Sequence, residues 1–393
     1  MDIRSMADLD LSGKRVVIRV DFNVPLDGDV IVNDNRLQAS LLTIQLALDA
    51  RAKVLILSHL GKPTEGKFDA RFSLRPVAKW LSKHLGFEVP LVRDWLQGVE
   101  IEPGRAVLAE NVRFIPGEKE NDEQLARRIA ALSDVYVMDA FATAHRAQAS
   151  TCGAIYFAPV ACGGLLLMEE LAALGAIFEH PREPLLAIAA GSKVSTKLAL
   201  LNNLIGKVRT LLVGGGIANT FLKSQGLSVG CSLCEDELVV KAAEIVEEAR
   251  KRGTDIPLPV DLVVAKEISE LAVPVVKNAS TIEQDDIILD VGPATVRQWS
   301  ELITTSGTVV WNGPVGMCEL EAFRGGTRAL AGAVESSGAF SVLGGGDTVA
   351  AIELCGFKKQ NFSYVSTAGG AFMEYLQGSK LPAVEALKSR GVR

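Results

Sequence analysis

Asp134-Val135-Tyr136-Val137-Met138-Asp139-Ala140-Phe141-Ala142-Thr143-Ala144-His145-Arg146 is the stretch that decides the fold. Its apolar run, Val135–Met138, reads as a buried strand, and it feeds directly into residues carrying Asp, Thr, His and Arg. Open α/β sheets gather their chemistry at the carboxyl ends of strands. A polar loop that only caps a sheet would look the same in isolation. Repetition separates the two readings. Other apolar runs of the first half also end in charged or amide groups: Asp21-Phe22-Asn23, His59, and Glu110-Asn111-Val112-Arg113.

The same alternation runs along the whole chain. Short apolar runs predict strands over residues 15–22, 54–59, 106–110, 135–139, 185–190, 210–214, 258–265, 287–291, 308–311, 340–343 and 364–366. Amphipathic stretches between them predict helices, among them residues 36–48 and 236–250, the latter with Glu247 and Glu248 outward. Strands alternating with helices predict parallel sheets built from right-handed βαβ units. A chain of 393 residues exceeds one ordinary core, so two domains are expected. The boundary is expected between Met168 and Pro184, where an apolar helical stretch ends in Glu179-His180-Pro181-Arg182-Glu183-Pro184.

Composition narrows the function. A net charge of −6 argues against wholesale nucleic-acid binding, so an anionic ligand must be held by a local cluster. The polar start, Met1-Asp2-Ile3-Arg4-Ser5-Met6-Ala7-Asp8, lacks the apolar segment of a secretory signal. Residues 160–168 form the longest apolar stretch, too short to span a bilayer. Six scattered cysteines, with Cys231 and Cys234 the only close pair and no second pair to complete a zinc site, suit a cytoplasmic protein without disulfides.

The second half ends its strands differently, in glycines: Gly191-Ser192, Gly214-Gly215-Gly216, Gly344-Gly345-Gly346-Asp347 and Gly369-Gly370. Side-chain cations suit a small, highly charged ligand. Bare backbone N–H groups at helix starts suit a polyphosphate or a flat base that must approach closely. Two kinds of grip suggest an enzyme with two substrates. Arg36, after Asn33-Asp34-Asn35, stands in the first turn of a predicted helix, where a cation opposes the helix dipole unless an anion shares the site. His59-Leu60-Gly61-Lys62 ends a strand in a tight turn with a cation. Lys193 and Lys197, four apart, are expected on one face of a helix near its start, again opposing the dipole unless phosphate is bound. Asp347, in a glycine turn, is placed to hold Mg²⁺, which favours carboxylate plus phosphate oxygens. Residues 61–67 mimic a Walker loop, but Phe68 stands where the hydroxyl is required and no helix pattern follows.

Taken in order, these motifs resemble the phosphoglycerate kinase family over nearly the whole chain. They run from residues 19–25 and Asn33-Asp34-Asn35-Arg36 through Ser58-His59-Leu60-Gly61, Glu110-Asn111-Val112-Arg113-Phe114 and residues 139–146. They continue with residues 191–197, Val213-Gly214-Gly215-Gly216, Trp311-Asn312-Gly313-Pro314-Val315-Gly316, residues 344–348 and Ser366-Thr367-Ala368-Gly369-Gly370. The resemblance implies an α/β fold of two Rossmann-like domains, with parallel sheets flanked by helices and an interdomain helix and hinge. It implies a phosphoglycerate-binding domain at 1–170, a hinge at 171–184, a nucleotide-binding domain at 185–377, and a tail at 378–393 that packs back on the first domain. The implied reaction is reversible phosphoryl transfer from 1,3-bisphosphoglycerate to MgADP, giving 3-phosphoglycerate and MgATP, in a cytoplasmic monomer without nucleic-acid or membrane partners.

Carried over residue by residue, the resemblance puts phosphoglycerate on Asp21, Asn23, Arg36, His59, Leu60, Gly61, Lys62, Arg113 and Arg146. It puts the nucleotide on Gly191, Ser192, Lys193, Lys197, Gly215, Gly216, Asn312, Glu319, Gly345, Gly346, Asp347 and Thr348. Gly369 and Gly370 would cradle the transferring phosphate, Asp347 would hold Mg²⁺, and Arg36 and Lys193 would be catalytic. His145 is expected to shape its turn and Arg146 to touch the substrate. A metaphosphate-like transition state needs positioning and cations rather than a base, and two domains closing would keep water from the acyl phosphate. Lys62 departs from the family's usual arginine, and Ala190 and Ala368 from glycine. Two rival classes are a binding protein that closes on an anion without chemistry and an NAD-dependent dehydrogenase. The absence of a Gly-x-Gly-x-x-Gly fingerprint weighs against the second.

Overall fold

The computed structural model describes residues 3–366 and 368–391, so Thr367 of the 366–370 motif and the last two residues of the 378–393 tail lie outside the described residues. The chain divides into two compact units. One runs to Ala172 and resumes at Lys380; the other is Ala173–Ser379.

Unit 1 contains β1 (Arg15–Arg19), β2 (Leu26–Asp27), β3 (Val30–Ile31), β4 (Lys53–Leu57), β5 (Leu91–Val92), β6 (Arg105–Ala109), β7 (Val135–Met138) and β8 (Val160–Gly163). Its helices are α1 (Asn35–Asp49), α2 (Arg75–Leu85), α3 (Glu123–Ala131) and α4 (Ala154–Phe157), and α5 (Leu165–Phe178) begins in it. The main sheet is parallel, in the order β5-β6-β4-β1-β7-β8. Its strands read as continuous apolar runs because helices cover both faces of such sheets. Arg19 pairs with Leu57 on one side and Met138 on the other, so β1, β4 and β7 end level with one another. That register brings the chain just past each strand to a single edge.

Unit 2 contains β9 (Leu185–Ala190), β10 (Thr210–Gly214), β11 (Asp261–Ala265), β12 (Val275–Asn278), β13 (Ile287–Val291), β14 (Thr308–Asn312), β15 (Phe340–Leu343) and β16 (Tyr364–Val365). Its helices are α6 (Leu198–Leu204), α7 (Gly215–Ser224), α8 (Val239–Lys251), α9 (Pro293–Thr304), α10 (Gly325–Ser336), α11 (Gly346–Leu354) and α12 (Gly369–Leu376). A parallel sheet runs β10-β9-β14-β15-β16 around a core that includes Trp299, Trp311, Leu330 and Ile352. The final helix, α13 (Pro382–Ser389), belongs to unit 1: Ala383 N–H donates to the Ala144 carbonyl at 3.1 Å, and Arg390 Nη2 to that of Ala158 at 2.7 Å.

Three expectations need correction. The run at 258–265 is a strand only from Asp261, and with the strand at 287–291 it forms an antiparallel sheet, β12-β11-β13, outside the parallel one. Periodicity cannot tell the two kinds of pairing apart. The predicted strand 15–22 stops at Arg19, where the chain turns and the Phe22 N–H is taken by Ser58 Oγ at 2.8 Å. Lys193 and Lys197 do not share a helical face, because α6 starts only at Leu198. Ser195 holds Glu235 through its N–H (2.9 Å) and Oγ (2.5 Å), and Thr196 Oγ1 donates to the Lys193 carbonyl, so residues 193–196 are pinned as a loop. Ala190 continues β9 and Ala368 has φ −120°, so neither methyl group meets a backbone that requires glycine.

Candidate active site

Four neighbouring strands of unit 1 deliver charge to one edge. After β1, Asp21 accepts from Arg36 Nη1 at 2.9 Å, which offsets the unfavourable start of α1. The same nitrogen donates to the Asn23 carbonyl at 2.9 Å. Asn23 Oδ1 accepts from the Gly61 N–H at 2.8 Å, fixing the turn after β4. After β6, buried Asn111 donates to the Leu60 and Phe72 carbonyls, and Arg113 donates to the Gly61 carbonyl. After β7, Arg146 is half-buried and donates from Nε to His145 Nε2 at 3.2 Å. Lys62 is exposed beside Gly61.

The electrostatics identify what this edge wants. Burial pulls Arg113 down to about 10, and the like charges of Arg146 and Arg19 add to the fall. Burial, then the charges of Arg19, Arg113, Arg146 and Arg36, holds His59 well below the usual histidine value. An anion bound beside Arg113 and His59 would relieve the repulsion that their neighbours exert on them. His59 is therefore neutral at pH 7. Its ring proton resonances should not titrate between pH 6.5 and 8 in the free protein. A midpoint at or above 6.5 by NMR would contradict this environment.

Two buried residues of this edge escaped the sequence. Arg19, at the end of β1, donates from Nε to Ser150 Oγ at 2.8 Å and approaches His59 Nδ1 at 3.4 Å. Glu118 accepts from Ser150 N (3.0 Å) and Oγ (2.5 Å) and is pushed up to about 7 by burial. A charge inside a buried strand run is a usable signal for Arg19. Glu118 stands among Gly117, Lys119 and Glu120, where it reads as a solvated acid. Asp139, the first charged residue after the apolar run of the deciding stretch, is fully buried, accepts from the Leu167 N–H at 3.1 Å and is pushed up to about 7 by burial. It anchors the start of α5 and does not join the cationic edge.

In unit 2 the strand ends of β10, β9, β14 and β15 are adjacent, and their turns enclose two connected spaces. The smaller, about 350 Å³, is the more polar of the two and is lined by Gly191, Ser192, Lys197, Asn312, Gly345, Gly346, Asp347, Thr348 and Gly369, among others. The larger, about 560 Å³, shares Gly191, Ser192, Pro314 and Asp347 with it. It extends over Gly215, Gly216, Leu233, Leu262, Ile288 and Val315, with Glu319 also lining it. Lys197 Nζ donates to the carbonyl and side-chain oxygens of Asn312 and is drawn down to about 8, chiefly by burial. Asn312 Nδ2 donates to the Gly344 carbonyl at 2.6 Å, and Thr348 Oγ1 accepts from the Gly313 N–H at 2.7 Å. Lys193 and Asp347 are exposed, Asp347 in the first turn of α11. Gly369 and Gly370 open α12.

Two glycines are dictated by space as well as by rotation. Gly215 has φ +64°, and a Cβ there would lie 2.7 Å from the Gly191 carbonyl oxygen. Gly345 has φ +99°, and its Cβ would meet Asn312 Nδ2 at 2.6 Å.

A cationic sheet edge in one unit, and in the other a glycine-lined slot that shares a wall with a smaller, more polar pocket, suit a phosphotransferase. The family model for phosphoglycerate kinase matches residues 6–379. The chain is 54% identical over 385 residues to a phosphoglycerate kinase of Coxiella burnetii, covering 98% of each, and 51% identical over 393 residues to that of Francisella tularensis subsp. novicida, covering 100% of each. The solved structure of the Coxiella burnetii enzyme superposes with a TM-score of 0.97 over 99% of this chain and 100% of that one. The phosphoglycerate kinase of Pyrococcus horikoshii gives 0.81 at 28% identity, covering 99% of each chain. The chain belongs to the phosphoglycerate kinase family, and the glycolytic phosphoryl transfer of that family is its reaction. Among the described residues, no helix is long and apolar enough to cross a membrane.

Proposed function

We propose that unit 1 binds 3-phosphoglycerate or 1,3-bisphosphoglycerate and unit 2 binds ADP or ATP with Mg²⁺, in a cytoplasmic monomer. The observation that carries the first assignment is that burial and neighbouring guanidinium charges lower both Arg113 and His59, a repulsion that an anionic ligand would relieve. Asp21 and Asn23 orient the hydroxyl and carboxylate region. Arg113, Arg146 and His59 hold the non-transferred phosphate and the carboxylate. Lys62 adds a point charge where a guanidinium would grip bidentately.

The second assignment rests on the two connected spaces of unit 2. The apolar slot over Gly215 and Gly216 suits a base, Glu319 suits the ribose, and the polar pocket suits the phosphates. Asp347 fits Mg²⁺, because it is an exposed carboxylate at the wall shared by both spaces, where phosphate oxygens would complete the shell. Bound there, the ion neutralises charge on the terminal phosphates. Lys197, fixed by Asn312, holds a phosphate oxygen, and the N–H groups opening α11 and α12 meet the others. The phosphoryl group then passes in line from acyl phosphate to nucleotide, with Arg36 and Lys193 stabilising its equatorial oxygens. Transfer requires donor and acceptor oxygens to come within bonding reach.

Calorimetry tests the division of labour. Arg113→Gln should weaken 3-phosphoglycerate binding at least about tenfold and leave MgADP unaffected. Lys197→Met should do the reverse. Loss of both ligands in either variant, with the fold intact, would overturn the assignment.

A further inference from the structure

The apolar slot of unit 2 contains a polar group that phosphoryl transfer does not use. Asn219 lies on α7, three residues after Gly216 and so on the same helical face, and it lines the slot. It is only 2% exposed. Its Nδ2 donates to the Leu233 carbonyl at 3.1 Å. That carbonyl can only accept, which fixes the orientation of the amide. Oδ1 is the atom left over: it is buried and has no hydrogen-bond partner among the described residues. A buried acceptor left unmatched is costly, so a ligand that brings a donor to it is favoured.

Position says which part of a nucleotide that is. Asn219 lines the slot together with Leu233, Leu262 and Ile288, and it does not line the polar pocket of Lys197 and Thr348. It therefore belongs to the end that takes the base, on the reading of the slot proposed above. Adenine carries an exocyclic amino group, a donor, where hypoxanthine and guanine carry a carbonyl, an acceptor. We propose that Asn219 Oδ1 accepts a hydrogen bond from the adenine amino group and sets the base preference of the nucleotide site. Leu233 lies over Gly216, with its Cδ2 3.3 Å from where a Cβ would stand, and is 51% exposed. Its carbonyl holds the Asn219 amide, and its side chain lines the slot.

The test is calorimetry on the full chain with ADP, purine-riboside 5′-diphosphate (no amino group) and IDP (a carbonyl in its place). The unmodified protein should bind ADP about tenfold tighter than purine-riboside diphosphate, from one lost hydrogen bond, and IDP more weakly still. Asn219→Leu, close in size, should bind all three within about twofold of one another and keep its affinity for 3-phosphoglycerate. If the unmodified protein binds the three alike, Asn219 does not read the base; this result needs no variant to fold. Retention of the ADP preference in Asn219→Leu would equally overturn the assignment. Leu233→Trp, which fills the slot from its exposed rim, separates the two levels of failure. Weakened ADP binding in it keeps the slot as the base site whatever Asn219 does. Unchanged ADP binding removes the slot from nucleotide recognition and the Asn219 proposal with it.

Discussion

Arg36→Ala is expected to lower kcat by about 100- to 1,000-fold, the usual effect of losing one donor to the charge of a transition state. Affinity for MgADP should stay within about twofold, because the nucleotide is assigned to unit 2. The local structure explains why the side chain is poised. Arg36 uses a single nitrogen, Nη1, for both of its bonds, to Asp21 and to the Asn23 carbonyl. Its Nε and Nη2 have no partner among the described residues, and the side chain is 35% exposed. The guanidinium is held on one edge and open on the other. The helix that carries it does not depend on it, since α1 is anchored by Leu37, Ile44 and Leu48 in the core. Arg36→Lys keeps the charge and loses the fork, so it should fall between alanine and the native residue. Near-normal turnover in Arg36→Ala would remove Arg36 from the transfer centre.

Lys193→Ala is expected to slow the single-turnover transfer rate by about 100-fold, with a much smaller change in nucleotide affinity. The two lysines of the 191–197 loop differ in how they are held. Lys197 is half-buried and tied to Asn312, a fixed contact suited to ground-state phosphate. Lys193 is exposed, and its loop is held through its backbone carbonyl by Thr196 and through Ser195 by Glu235. The backbone is fixed while the ammonium is left to swing, which suits a group that meets charge only as it develops. Rapid quench on the purified variant reads the step directly. An unchanged single-turnover rate would leave Lys193 as a binding group at most.

The boundaries of the deciding elements were legible because they rest on local chemistry. The apolar runs at 185–190, 210–214, 287–291 and 340–343 are strands with those same limits. Glycine followed by helix periodicity marks the turns before α7, α11 and α12. The resemblance to the phosphoglycerate kinase family also rests on residue order alone. The pinned loop at 193–196 was not legible, because Glu235, which holds it, lies 40 residues away. Glu118 was not legible either, because the bond that matters to it is made to Ser150, 32 residues on.

The sequence by itself determined strand after strand, the polar ends of one half, the glycine ends of the other, and through their order the family. Apolar periodicity, β-branching and the rotational freedom of glycine act within a few residues, so they can be read one segment at a time. Only the tertiary structure decided which of those ends meet. The order β6-β4-β1-β7 brings Arg19 and Arg146 close enough for their charges to add to the burial that lowers Arg113 and His59. The same level of structure withdrew Asp139 into the base of α5 and left Asn219 Oδ1 unmatched in the slot. Burial and through-space charge depend on what packs alongside, and sheet order settles that between segments far apart in the chain.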